Sequence, residues 1–162
     1  MSNLVDTSEL MFNSWEPKTK NRFIFYVEGI PSFLIKTANR PSPTSGEVVI
    51  DHINVQRKVK GKSTWGDVTI TMYDAITPSA AQAAMEWFRM SHESVTGRDG
   101  YADMYKKDCS IVILGPTGDK VEEWTLKGAW PKEVTMGDLD WSAEDVMDVS
   151  VNLSIDYAIL QY

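Results

Sequence analysis

The residues of this 162-residue chain whose types could do chemistry are few: two histidines, one cysteine, a glycine-rich run and an acidic run. His52 and His92 could ligate a metal or carry a proton near neutral pH. Neither has a metal-ligating neighbour at useful spacing, so both read as partly exposed structural residues. Cys109 opens an apolar run and reads as a small buried residue. With no second cysteine, no intrachain disulfide forms, which fits a reducing compartment. Gly115-Pro116-Thr117-Gly118-Asp119-Lys120 has a phosphate loop's residues at the wrong spacing, and Val121 stands where Ser or Thr is needed, so it reads as a β-turn. Asp138, Asp140, Glu144, Asp145 and Asp148 lack the alternating order of a calcium loop and read as a solvated acidic turn. Trp124, Trp130 and Trp141 could stack a ligand, but each lies near a strand end with apolar neighbours, which fits core or subunit packing. With no G-x-S-x-G, H-E-x-x-H or C-x-x-C motif, the expectation is no catalytic residue, no metal and no cofactor.

What must the elements position, if not an active site? The composition is that of one globular domain: 43% hydrophobic, 24% charged, net charge −7. The charge is uneven. Residues 1–81 are close to neutral, and residues 82–162 hold seven Lys/Arg against fifteen Asp/Glu. Such a chain is a poor tight binder of nucleic acid, since phosphate neutralisation drives that binding. No stretch approaches the roughly 20 apolar residues of a membrane-spanning helix, and the start lacks a signal peptide's pattern, so no membrane insertion is expected.

Residues 1–19 read as an arm with scattered apolar residues, and 20–162 as a single β domain. Arg22–Glu28 predicts a strand, and Ser32–Ala38 its returning partner after a Gly29-Ile30-Pro31 turn. Pro41–Gly46 reads as a loop. Glu47–Ile50 and Ile53–Val59 read as extended pieces, with a turn at Gly61. Trp65–Tyr73 alternates as a strand. A helix follows, with Thr77 as N-cap, Pro78 in its first position and Trp87 within it. Cys109–Leu114 and Val121–Lys127 form a hairpin, which Gly128–Pro131 breaks before a further strand at Val134–Leu139. Met147–Tyr157 alternates apolar and polar, the pattern of an antiparallel sheet with one face on a core. The fold class is therefore mainly β: two packed antiparallel sheets, as a sandwich or barrel, with one flanking helix.

Certain residues in this order resemble a family. Arg57-Lys58-Val59 and Gly61 precede Thr64-Trp65-Gly66-Asp67-Val68. A helix with Trp87 follows, then Gly128-Ala129-Trp130-Pro131, Gly137-Asp138-Leu139-Asp140-Trp141, and a last strand ending Asp156-Tyr157. Over roughly Arg22 to Tyr157 this resembles the tail tube proteins of contractile-tailed bacteriophages. The resemblance implies the fold of the hemolysin-coregulated tube protein of type VI secretion. It also implies hexameric rings whose inner strands join into one barrel, stacked into a tube by an N-terminal arm and a long loop. The implied partners are further copies of the chain, a contractile sheath, a baseplate or tube initiator, a tape measure protein, and viral DNA passing without sequence-specific binding. The implied place is the virion tail, with assembly in the host cytoplasm. A contractile injection system or bacteriocin tube, delivering effectors or puncturing membranes, shares the pattern and stays open as the alternative.

Stacking needs complementary surfaces on the two ring faces. The candidates are the extended piece Glu47, Val48, Val49, Ile50 and Asp51, the basic cluster Arg57, Lys58, Lys60 and Lys62, and the acidic Asp138, Asp140, Glu144 and Asp145. Trp65, Trp87, Gly128, Trp130, Pro131, Gly137, Leu139, Trp141 and Asp156 are expected to serve motif packing.

Overall fold

A computed structural model describes residues 15–162. The proposed arm lies outside the described residues up to position 14, and Trp15–Thr19 form neither helix nor strand. The strands are β1 (Phe23–Tyr26), β2 (Ile35–Ala38), β3 (Pro43–His52), β4 (Val55–Trp65), β5 (Val68–Tyr73), β6 (Lys107–Leu114), β7 (Lys120–Met136), β8 (Asp148–Ser154) and β9 (Tyr157–Leu160). The helices are α1 (Ala80–Ser91) and the short α2 (Ala102–Tyr105), with one 3-10 turn at Ser32–Leu34.

The long strand β7, 17 residues, belongs to two sheets. Its first half lies between β6 and β9, with β1 beyond β6. Its second half pairs with β8, then β5, then β2. Every pairing is antiparallel, and β3–β4 form a separate two-stranded ribbon. The alternation read in the sequence is the reason: Val68, Ile70 and Met72 of β5 and Val149, Val151 and Leu153 of β8 all face inward and are buried. They join Phe25, Ile111, Leu126 and Ala158 of the other sheet in one core. Each fully buried aliphatic side chain contributes about 1.5–3 kcal/mol. Helix α1 closes the core with Ala80, Ala84 and Trp87, and the Trp87 indole donates to the Tyr105 carbonyl at 2.7 Å.

Several local expectations are corrected. The segment after Pro31 turns once as a 3-10 helix, and β2 pairs with β5 rather than returning on β1. The expected loop at Pro41–Gly46 is strand from Pro43 onward, because β4 supplies a partner along its whole length. Gly61 lies inside β4: Gly46 and Gly61 face each other at a bulge, and a Cβ on either would press on the other strand's backbone at 3.1 Å. The strand expected over Trp65–Tyr73 is interrupted at Gly66-Asp67. The helix N-cap is Ser79, whose hydroxyl accepts from Gln82 N–H, and Thr77-Pro78 precedes the helix.

β7 continues through Gly128–Pro131 as far as Met136. Gly128 takes φ +68, and a Cβ there would collide with the Asp156 carboxylate. The strand bends there from one sheet to the other rather than ending. The last strand stops at Ser154, and Tyr157 starts β9 with its ring exposed, because Asp156 N–H turns to the Lys127 carbonyl at 3.0 Å.

Candidate assembly surfaces

The β3–β4 ribbon is built from the predicted stacking residues. Glu47 stands opposite Lys60, Val49 opposite Lys58 and Asp51 opposite Gln56. Opposed residues share a face, so this face is polar apart from Val49. The other face pairs Val48 with Val59, Ile50 with Arg57 and His52 with Val55. It is apolar apart from Arg57 and His52, and all of these residues are exposed. At about 3.4 Å per residue, the 10 residues of β3 reach roughly 34 Å. The tip residue Ile53 is 94% exposed. One internal ion pair, Lys58 to Glu47 at 3.4 Å, satisfies part of the basic cluster. The structure thus brings Glu47–Asp51 and Arg57–Lys62 together on one element.

The acidic candidates lie elsewhere. The 137–147 loop joins β7 to β8 and is closed by Gly137 N–H on the Asp148 carbonyl and Asp74 N–H on the Met147 carbonyl. It sits at the end of the second sheet where Tyr73 pairs with Asp148. The ribbon is rooted at the opposite end, beside Val68 and Asn39: Gly66 N–H reaches the Ser42 carbonyl and Thr69 N–H the Asn39 side chain. Asp138, Asp140, Glu144 and Asp145 are exposed, and so are Leu139 and Trp141. Trp141 therefore does not pack in the core. Trp130 meets Tyr105 edge-on at 5.9 Å, and Trp65 is half-buried against the core.

The second sheet has two strand edges without a partner among the described residues: β2, which pairs only with β5, and β7 from Trp130 to Met136, which pairs only with β8. Its outward face is lined with hydroxyls and amides. Thr37, Thr71, Ser150 and Thr135 stand in one row across four strands, with Thr69 and Asn152 in the next. Charges on this face are mostly paired, Lys36 with Asp148 and Lys132 with Asp67, both at 3.2 Å.

One residue was missed in the sequence. Glu122 is 4% exposed and accepts from Lys18, Arg40 and the Trp124 indole. Burial pushes its carboxyl up, but hydrogen bonds from Lys18, Trp124 and Arg40 outweigh this and hold it below the usual glutamate value. It ties the segment before β1 and the segment before the ribbon to β7. Its signal was parity: Glu122 shares the inward side of β7 with Trp124 and Leu126.

The other chemistry-bearing residues stay apart. Cys109 is buried, which raises its thiol to about 12. His92 bonds Asp99 at 2.8 Å, and His52 lies on the ribbon. No cluster of metal-ligating side chains occurs among the described residues.

Comparison with known proteins places this arrangement. The family of the T4-like virus tail tube protein gp19 matches residues 45–158, from the ribbon to β9. The chain belongs to that family. The tail tube protein gp19 of Enterobacteria phage T4 is 26% identical over 161 residues, covering 94% of this chain and 98% of that protein. The tail tube protein of Serratia phage KSP90 is 25% identical over 113 residues, and the match spans 69% of this chain and 64% of that protein, just under two thirds of its length. Among solved structures, a chain of the sheath–tube complex of an extracellular contractile injection system (PVC) aligns with TM-score 0.68 at 20% identity, over 98% of this chain and 99% of that one. Hcp1 of Flavobacterium johnsoniae shares the fold more distantly, with TM-score 0.51 at 14% identity over 86% of this chain and 94% of that one. The expected family and fold are both found. As a family member the chain is a structural tail tube protein, and two of its motif residues, Gly128 and Asp156, pack side by side.

Proposed function

We propose that this tail tube protein assembles as hexameric rings stacked inside a contractile sheath, and that the tube conducts viral DNA into the host. The observation that carries this is the second sheet. It has one core-facing side, one hydroxyl-lined side and two open edges. An open edge is a pairing template, and ring closure removes it. Joining β2 of each copy to the Trp130–Met136 edge of the next gives a continuous wall with the hydroxyl face inward. Such a face offers passing phosphate few free cations to hold it. The ribbon, with its basic 57–62 stretch, then reaches the ring on one side, and the acidic 138–148 surface at the opposite end of the sheet faces the ring on the other, so that both take part in head-to-tail stacking. The sheath, a baseplate or initiator and a tape measure protein complete the partners, with assembly in the host cytoplasm before the tube enters the virion. Two phage proteins at 25% and 26% identity favour a phage tail over an effector-delivering or membrane-puncturing system.

Negative-stain microscopy of the purified chain across a concentration series, with and without preformed tube ends as seeds, tests the reading. Hollow sixfold rings or tubes are expected. A chain that stays monomeric at every concentration, even on seeds, overturns it. Lys58→Glu with Lys60→Glu should impair tube growth, as should deletion of residues 42–50. Normal growth of either would remove that segment from the stacking contact.

A further inference from the structure

The two ends of the second sheet differ in shape as well as charge. At the ribbon end, a cavity of about 380 Å3 opens between the segment before β1 and the root of the ribbon. Lys18, Lys20 and Arg40 line it over Phe23, Ile111 and Ile113. One buried carboxylate, Glu122, serves both Lys18 and Arg40, and Lys20 has no ion-pair partner among the described residues. The mouth therefore keeps an excess of positive charge over an apolar floor.

At the far end, the 137–147 loop presents the complement. Trp141 is 107% exposed, the most exposed large apolar side chain described. Leu139 stands exposed beside it, with Asp138 and Asp140 flanking. The loop is held in shape at this point: Ser142 donates to Asp140 from its N–H at 3.0 Å and its hydroxyl at 2.9 Å. A tryptophan beside a carboxylate, solvated on all sides, has the character of an interface anchor, a residue type that carries a large share of binding energy once it fills a pocket.

We propose that Leu139, Asp140 and Trp141 of one copy dock into this cavity of a second copy stacked head to tail on it. This rests on the stacked-ring reading above and names its contact. The indole and the leucyl side chain cover the floor of Phe23, Ile111 and Ile113, and Asp138 and Asp140 face Lys18, Lys20 and Arg40. The cavity is favoured over the ribbon as the receptor for the loop. Lys58 of the ribbon is already paired with Glu47, and Lys60 stands opposite the same carboxylate. Because every copy carries both halves at opposite ends of its sheet, the contact repeats without closing, as a tube requires.

The test uses the full chain with Lys20→Cys and Leu139→Cys together; Cys109 is buried and does not compete. Assembled tubes are oxidised and run on a non-reducing gel beside each single variant. Chains linked into long ladders are expected from tubes of the double variant alone. Tubes whose chains stay unlinked overturn the docking and leave the stacked rings standing. Trp141→Ala supplies the second measurement: unchanged melting as a monomer, with elongation on wild-type seeds reduced at least tenfold. Elongation at the wild-type rate overturns the proposal. If the chain's own residues 1–14 fill the cavity instead, a thiol at position 20 in the monomer resists maleimide until those residues are removed, and the docking is also overturned. Wild-type chain that never elongates seeds overturns the rings and the docking together.

Discussion

Strand β5 and strand β3 use the same kinds of residue and meet opposite fates. β5 alternates, with Val68, Ile70 and Met72 buried and Thr69 and Tyr73 exposed. β3 carries Val48, Val49 and Ile50, and every one of its ten residues is exposed. Both are strands because β-branched side chains fit a pleated backbone and each has an antiparallel partner. The difference lies in what covers the face. β5 sits in the middle of a sheet whose inner face lies on the core, and most of the ribbon has only itself. A lone two-stranded ribbon is marginal in water, and under the proposed stacking its exposed Val48, Ile50 and Val59 are what it offers a neighbour. Regular structure can thus be completed by strand pairing without burial.

The largest expected effect falls on the buried side of this contrast. Leu153→Ala, in the core between β5 and the far sheet, should cost about 2–5 kcal/mol in urea unfolding of the unassembled chain. Val48→Ser with Val59→Ser on the ribbon should change the same measurement by under about 1 kcal/mol and yet suppress tube growth in a seeded assay. Equal losses from the two regions would break the contrast.

Gly128→Ala comes next. The positive φ and the Asp156 carboxylate in the Cβ position both oppose it, and about 1–3 kcal/mol of backbone strain is expected. Differential scanning calorimetry should show a lowered Tm, with little recovery in the double variant Gly128→Ala, Asp156→Ala, because the strained φ remains. Full recovery would assign the cost to the collision alone.

Glu122 gives a smaller, pH-dependent effect. Its folded carboxyl titrates below the ordinary value of 4.5, so the unfolded chain takes up the proton first as pH falls. The stabilisation it contributes is therefore complete above that value and is lost as pH drops through the folded value. Glu122→Gln should cost about 1–2 kcal/mol near pH 7, and the gap to wild type in urea midpoint should narrow as pH falls below 4.5 and close in stronger acid. A gap that persists unchanged in acid would show that Glu122 acts by shape and not by charge. The smallest effect should come from Lys58→Ala, whose exposed pair with Glu47 contributes under about 1 kcal/mol to the monomer. Its influence should appear in salt-dependent tube growth instead.

Much of this molecule was legible in the residues. Val149, Val151 and Leu153 announced a one-sided strand, Trp87 a buried helix face, and the Gly128–Trp130–Pro131 and Asp156 motif a family. Where the local reading failed, it failed at punctuation. Gly61, Gly128 and Pro131 were expected to end or flank strands and each sits within one, and Pro43, read as loop, opens β3. Glycine and proline signal a local backbone option, and a partner strand can absorb that option as a bulge or bend. Trp141 is a different case: read as core or subunit packing, it is not packed in the core of the single chain.

By itself the sequence determined which segments are extended, which strand faces are apolar and where charge collects, because side-chain type and period-two alternation are local properties. It could not determine that β7 belongs to two sheets, that β2 crosses to β5, or that Glu122 gathers Lys18 and Arg40 across the fold. Nor could it place the ribbon and the acidic loop at opposite ends of one sheet. Those are decided only when distant strands compete for the same hydrogen-bonding edges and the same core, a competition whose winners are set by the whole packed structure.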